Sequence, residues 1–234
     1  MDFITGEIIA IDKPLGWTSF DAVKRLRGAI QRRLRLKKFK VGHAGTLDPL
    51  ATGVLLVCTG RATRKIEELQ SGEKEYIATL ELGSTTPSYD LETEIDFTYP
   101  TDHITEERVK SALQNFVGNI MQVPPVFSAV KVDGKRAYKY ARHGKELDLK
   151  AKPVTIKEIE FISFENNILK FRVVCGKGTY IRSLARDLGE DLESGAHLIG
   201  LQRTRVGDYT LNDCVSVDKA VEIIENVPIS FPEN

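Results

Sequence analysis

An α+β fold with a mixed sheet is what this sequence predicts, and three observations carry it. Segments of strand and helix character alternate irregularly, several of the strands look hairpin-connected, and no internal repeat or low-complexity linker interrupts the chain. A doubly wound fold would instead alternate strand and helix regularly around a parallel sheet.

The elements follow in order. Residues 7 to 11 (EIIAI) form a short apolar run ending at Lys13-Pro14, a strand feeding a turn. Ser19 is placed to cap a helix in which Phe20, Val23, Leu26, Ile30 and Leu34 step by three or four, turning one apolar stripe inward while Lys24, Arg27 and Arg35 fall on other faces. Val54 to Cys58 reads as a buried strand, and Arg61 to Gln70 as a helix stopped by Gly72. Tyr76, Ala78, Leu80 and Leu82 alternate with Ile77, Thr79 and Glu81, the period of a half-buried strand. From Ser88 to Glu107 the chain holds seven acidic residues and Tyr99-Pro100 with little apolar periodicity, which predicts a surface loop or small insertion. Thr105 then caps a helix towards Phe116 and Val117, with Gly118 past its end. Residues 154 to 162 and 168 to 175 flank a turn at Asn166-Asn167 with hairpin character. Thr179 caps a last helix with Ile181, Leu184, Ala185, Leu188 and Leu192 inward, ending by Gly195.

Composition sets the frame. The 234 residues are 41% hydrophobic and 28% charged, inside the globular range and outside the disordered and disulfide-rich classes, with room for one large domain or two small ones. No run approaches the roughly 20 apolar residues of a membrane helix, and Asp2 and Glu7 stand where a signal peptide needs positive charge, so a cytoplasmic location is expected. Cys58, Cys175 and Cys214 are an odd number without CxxC spacing, which predicts reduced, mostly buried thiols. Formal charge is zero, but it is segregated. Between Asp21 and Asp48 there is no acid, while nine Lys and Arg from Lys24 to Lys40 leave the rest of the chain at −9. Such a local field attracts a polyanion even when the molecule is neutral, although a solvated helix face accounts for the same charges.

Several catalytic motifs fail on spacing. GKGT at Gly176 to Thr179 has Phe171 where a P-loop needs its first glycine and Gly178 where it needs Ser or Thr, and Ile181 replaces the third glycine of a dinucleotide fingerprint. His43, His103, His143 and His197 lack metal-ligand spacing, so no metal is expected, and no GxSxG elbow is present. What remains is GHAGTLDPLATGVL, Gly42 to Leu55, a turn-rich segment in which Pro49 biases Asp48 away from helical backbone. An Asp that hydrogen-bonds its own turn is the simpler reading of Asp-Pro, and spacing alone leaves both open.

The segment closely resembles the signature of the tRNA pseudouridine-55 synthases, the tRNA pseudouridine synthase B family. DKPLGWTS (Asp12 to Ser19), GHAGTLDPLATGVLLVCTGRATR (Gly42 to Arg64), KEYIATLELGSTT (Lys74 to Thr86), QVPPVFSAVKVDGKRAYKYAR (Gln122 to Arg142), and GKGTYIRSLARDLGEDL with GAHLIGLQRTRVG (Gly176 to Gly207) look like family blocks in family order, over nearly the whole chain. The resemblance implies a pseudouridine synthase fold with a mostly antiparallel central sheet. It implies one catalytic domain over 1–234, with a probable insertion at about 88–150 and no C-terminal domain of the PUA type.

By the same resemblance the activity is isomerisation of uridine 55 in the T-loop of tRNA, by base flipping and without cofactor or metal. Asp48 is implied as the catalytic carboxylate; whether it attacks the sugar, attacks the base or removes a sugar proton is left open. Tyr76 is implied as stacking platform and proton acceptor, Tyr180 and Leu201 as packing around the flipped nucleotide, and Arg182 as the partner of the catalytic Asp. His43 would fill the gap left by the base, and Lys13 would help hold the pocket. Arg32, Arg33, Arg35, Lys37 and Lys38 would track the RNA backbone. Gln202 departs from the usual arginine. A monomer is expected, needing neither guide RNA nor protein partner nor membrane. The alternative is an RNA-binding or tRNA-folding protein with little turnover.

Overall fold

The computed structural model of the protein describes residues 2–128 and 149–228, together with the backbone of 131–132 and 135–136. Apart from the backbone of those four residues, the fourth resembling segment beyond Ser128, and with it most of the second half of the expected insertion, lies outside the described residues. In chain order the elements are β1 (Ile8–Lys13), α1 (Ser19–Leu34), β2 (Val41–His43), β3 (Ala51–Thr59), a 3₁₀ turn (Gly60–Lys65), α2 (Ile66–Ser71) and β4 (Lys74–Leu82). There follow β5 (Ser84–Thr85), β6 (Phe97–Thr98), α3 (Glu106–Asn115), β7 (Gly118–Gln122), β8 (Lys131–Val132) and β9 (Lys135–Arg136). The chain ends with β10 (Lys152–Glu165), β11 (Ile168–Cys175), α4 (Ile181–Asp191), β12 (Ala196–Val206), β13 (Tyr209–Thr210), β14 (Val215–Ser216) and α5 (Val217–Asn226). They fall into two compact units, Met1–Glu75 with Gln202–Asn234, and Tyr76–Leu201.

In the first unit the strand order is β14-β1-β3-β12, with β2 added to β3 and β13 to the end of β12. β1 and β3 are antiparallel with Ile8 opposite Cys58 and Lys13 opposite Gly53, whereas β1 and β14 are parallel. Ala10, Ala44, Val54, Leu56 and Val206 form a buried cluster sealed by Ile8, Ile66, Leu69 and Tyr209. Helix α1 buries Ala22, Val23, Leu26, Ala29 and Ile30, as its periodicity requires.

The start of α1 differs from expectation. Thr18 is the cap: its Oγ1 accepts from the Asp21 N–H while the Asp21 carboxylate accepts from the Thr18 N–H, a capping box. Ser19 is already helical and buried, its hydroxyl turned to another loop. With Ser19 inward, Phe20 sits about 100° further round the helix and is 57% exposed rather than in the core. The segment after β3 is a 3₁₀ turn as far as Lys65, and only then the helix that Gly72 ends.

In the second unit the strand order is β12-β4-β11-β10-β7. Tyr76, Ala78, Leu80 and Leu82 are the buried face of β4, as the alternation requires. β10 and β11 are an antiparallel hairpin closed by Asn166 and Asn167, both at positive φ (50° and 63°), the signature of a type I′ turn. Thr105 caps α3 through the Arg108 N–H; the helix stops at Asn115, and Gly118 at φ 111° opens β7. α4 buries Ile181, Leu184, Ala185 and Leu188, but Thr179 does not cap it. Tyr180 is the N-cap residue, and its N–H goes to Gln122 Oε1 (2.8 Å) on β7. The acidic segment is exposed from Leu91 to Pro100 except at Thr93, yet Ser88 and Asp90 before it are buried, so it is a surface loop only in part. Cys58 and Cys175 are buried and Cys214 half-buried, all three free; burial pushes the Cys58 and Cys214 thiols up to about 11.

Candidate active site

In the first unit, Lys13, His43 and Asp48 meet at the loop joining β2 to β3, residues 44–50. Long-range hydrogen bonds hold the backbone of that loop at several points. Ala44 N–H bonds Leu56 O (2.9 Å), and Ala51 N–H bonds Asp48 O (3.1 Å). Ser19 Oγ accepts from Leu47 N–H (2.8 Å) and donates to Leu47 O (3.0 Å). Pro49 O accepts from Gly16 N–H (2.8 Å) and from Lys13 Nζ (3.4 Å). Arg203 completes the clamp, its Nε donating to Val54 O (2.7 Å), Nη2 to Gly45 O (3.1 Å) and Nη1 to Thr46 O (3.4 Å). Glycine is required where this clamp closes. Gly53 stands at φ +101°, and a Cβ there would lie 2.2 Å from the Arg203 carbonyl oxygen. The half-buried Asp48 is thus gripped through both chain neighbours, Leu47 and Pro49.

Three charged or polar side chains surround this carboxylate's loop. Lys13 is 0% exposed, and its Nζ also donates to Trp17 O (2.6 Å) and Pro14 O (2.9 Å). Burial pushes the Lys13 amine down to about 8, while Asp48 pulls it back up and Arg203 adds to the fall. Arg203 is 1% exposed. His43 lies below its ordinary value, first through burial and then through Arg203, so its imidazole is neutral at pH 7. Its Nδ1 is buried without a well-formed hydrogen bond among the described residues, the Gly45 backbone giving only a weaker pull in the opposite direction. A carboxylate on a held backbone, within electrostatic reach of a buried ammonium, is suited to nucleophilic or electrostatic work at a sugar carbon.

The second unit holds the other nominated residues. Tyr76 is 9% exposed at the start of the buried face of β4, and Leu201 is half-buried near the end of β12. Tyr180 is fixed through its backbone, its carbonyl accepting from Gln122 Nε2 (3.2 Å). Arg182 is buried; its Nη2 donates to Phe127 O (2.9 Å) and Nη1 to Ser88 O (3.3 Å), and its Nε lies 3.6 Å from the buried Asp90 carboxylate. These bonds fix the guanidinium plane. The sequence pointed to Arg182 but not to Asp90, Ser88 or Gln122, which order it and its neighbour.

Of the cations assigned to the RNA backbone, Arg35, Lys37 and Lys38 are exposed. Arg32 pairs with Glu225 of α5 (3.1 Å), and Arg33 Nη2 donates to Val227 O (2.6 Å), so these two are tied to the end of the chain. The resemblance singles out Gln202 and leaves its neighbour Arg203 unmarked. The period of two would have found it: Leu201 and Arg203 face one side of β12, and Gln202 is exposed on the other.

Residues 31–181 match the TruB family pseudouridylate synthase N-terminal domain, and residues 182–226 the tRNA pseudouridylate synthase B C-terminal domain. The chain belongs to the TruB family. Within it, the chain is 59% identical over 233 residues to tRNA pseudouridine synthase B of Parabacteroides distasonis, covering 100% of this chain and 99% of that protein. To tRNA pseudouridine synthase B of Phocaeicola vulgatus it is 62% identical over 229 residues, 98% of this chain and 97% of that one. Among solved structures it is similar to a chain of a Cbf5-Nop10-Gar1 complex, at TM-score 0.70 and 31% identity, covering 94% of this chain. It spans only 54% of that larger chain. The TruB membership agrees with the expected mixed, mostly antiparallel architecture. No helix among the described residues is long and apolar enough to cross a membrane. Among the described residues no three His, Cys, Asp or Glu gather as metal ligands.

Proposed function

We propose that this protein isomerises the uridine at position 55 in the T-loop of tRNA to pseudouridine, with Asp48 as its catalytic carboxylate and without cofactor or metal. The observation that carries the reading is the 58–62% identity, along whole chains, to relatives named tRNA pseudouridine synthase B. The grip on Asp48 supports its role, since a carboxylate held through both neighbours meets an extruded nucleotide without reorganising. The bond from sugar to N1 breaks, the detached base turns within the pocket, and a bond from sugar to C5 forms. The C5 hydrogen is lost to water as N1 takes up a proton, so atoms balance with no co-reactant. Tyr76 supplies a stacking face and accepts the C5 proton, with Tyr180 and Leu201 packing around the base. Arg182 is the cation that the family resemblance pairs with the carboxylate, and His43, neutral and short of one hydrogen bond, fills the stack that the base has left. Lys13 holds the pocket. Arg32, Arg33, Arg35, Lys37 and Lys38 take the phosphates. The protein acts in the cytoplasm as a monomer on free tRNA, without a guide RNA.

Tritium release from a tRNA transcript labelled at uridine C5 tests this. Release should require uridine at position 55, and Asp48→Asn should lower it by about 10⁴-fold or more while tRNA affinity stays within about twofold. Tight binding without release from wild-type protein would instead identify an RNA-binding protein with little turnover.

A further inference from the structure

An open groove of about 760 Å³ runs along α1, lined by Gly16, Trp17, Lys24, Arg25, Arg27 and Arg32, with Asp21 the one acidic residue of its lining. Its head is bonded to the catalytic loop. Gly16 N–H donates to Pro49 O next to Asp48, and the same Lys13 amine that reaches Pro49 O also takes Trp17 O. Along the helix, Phe20, Lys24, Arg27 and Gln31 lie on one stripe at spacings of four, three and four residues. Phe20 is exposed, and the Arg27 guanidinium stands 5.9 Å from its ring centroid. Aromatic surface at the catalytic end giving way to cations along the groove is the arrangement that holds a nucleic-acid strand whose bases have left the duplex stack.

We propose that this groove carries the RNA strand adjoining the target nucleotide, an unstacked base resting on Trp17 and Phe20 and the following phosphates on Lys24, Arg25, Arg27 and Arg32. The inference rests on the functional reading above and adds to it a path for the strand. Two of the cations already have acidic neighbours on α5, Asp218 at 4.0 Å from Arg25 and Glu225 at 3.1 Å from Arg32. Both pairs are solvent-exposed, and such pairs give way readily to a phosphate.

Trp17 is the only tryptophan of the chain, so its fluorescence reports on the groove alone. The experiment titrates full-length Asp48→Asn protein with a labelled T-arm hairpin, reading RNA anisotropy and tryptophan emission together. Emission should change saturably with the same midpoint as anisotropy. Lys24→Glu with Arg25→Glu should weaken binding at least about tenfold and reduce the logarithmic salt slope by about 1.5. Saturable anisotropy with unchanged emission and an unaffected double variant would overturn the groove while leaving the enzyme reading intact. Absence of binding by any RNA, with wild-type protein as well, would overturn both.

Discussion

Residues far from Asp48 in sequence hold its loop. Ser19, Lys13 and Arg203 reach that loop from the start of α1, from β1 and from β12, and none of the three bonds is local. This explains which part of the site the sequence disclosed. A motif lies along the chain and is read there, so Asp48, His43 and Lys13 were legible by resemblance. A clamp made across 28 to 158 residues leaves no spacing to read. Lys13 gives a pH test at this scale. Its amine is charged up to about pH 10.5 in the unfolded chain but only to about 8 in the folded one. Between those values the unfolded chain binds the extra proton, so this group's contribution to stability rises with pH. Wild-type protein should therefore gain on Lys13→Met by up to about 1.4 kcal/mol per pH unit across that window, in urea unfolding at matched pH.

Elements whose signals are local were legible in the sequence, and their ends were less so. The alternation of β4, the Asn-Asn hairpin and the apolar stripe of α4 appear in the structure as read, and that of α1 does from Val23 to Ile30. Helix α4 starts after Tyr180 with no side-chain cap, whereas at α1 the start was set by tertiary demand: Ser19 bonds Leu47, leaving the cap to Thr18. Phe20 faces water for the same reason, although its place in the three-four pattern predicted core. The two adjacent hydroxyls at α1 thus do different work. Thr18→Ala should cost about 1 kcal/mol by loss of the capping box and leave tritium release unchanged at temperatures well below unfolding. Circular dichroism and chemical denaturation check the first part, and the release assay the second.

Across the whole molecule the charge sums to zero while nine cations occupy a stretch free of acid. Affinity for RNA then follows the local field, and the total charge is a poor guide to partners. Arg32 and Arg33 show how the fold modifies that field, since Glu225 and the Val227 carbonyl engage them, Arg32 while still exposed, and Arg35, Lys37 and Lys38 are exposed as well. With about four phosphate contacts, tRNA affinity should fall by about two orders of magnitude between 50 and 200 mM salt; anisotropy titrations at several salt concentrations measure it, and a flat response would remove the cationic stretch from the interface. The chain passes from the first unit to the second within β4 and returns within β12. One consequence of the Arg203 clamp concerns timing during synthesis. The loop bearing Asp48 is made early, but its carbonyls wait for a guanidinium translated some 150 residues later, which at ribosomal speed is about ten to thirty seconds. Until then the nascent chain carries Asp48 on a loop whose backbone lacks the bonds that shape it.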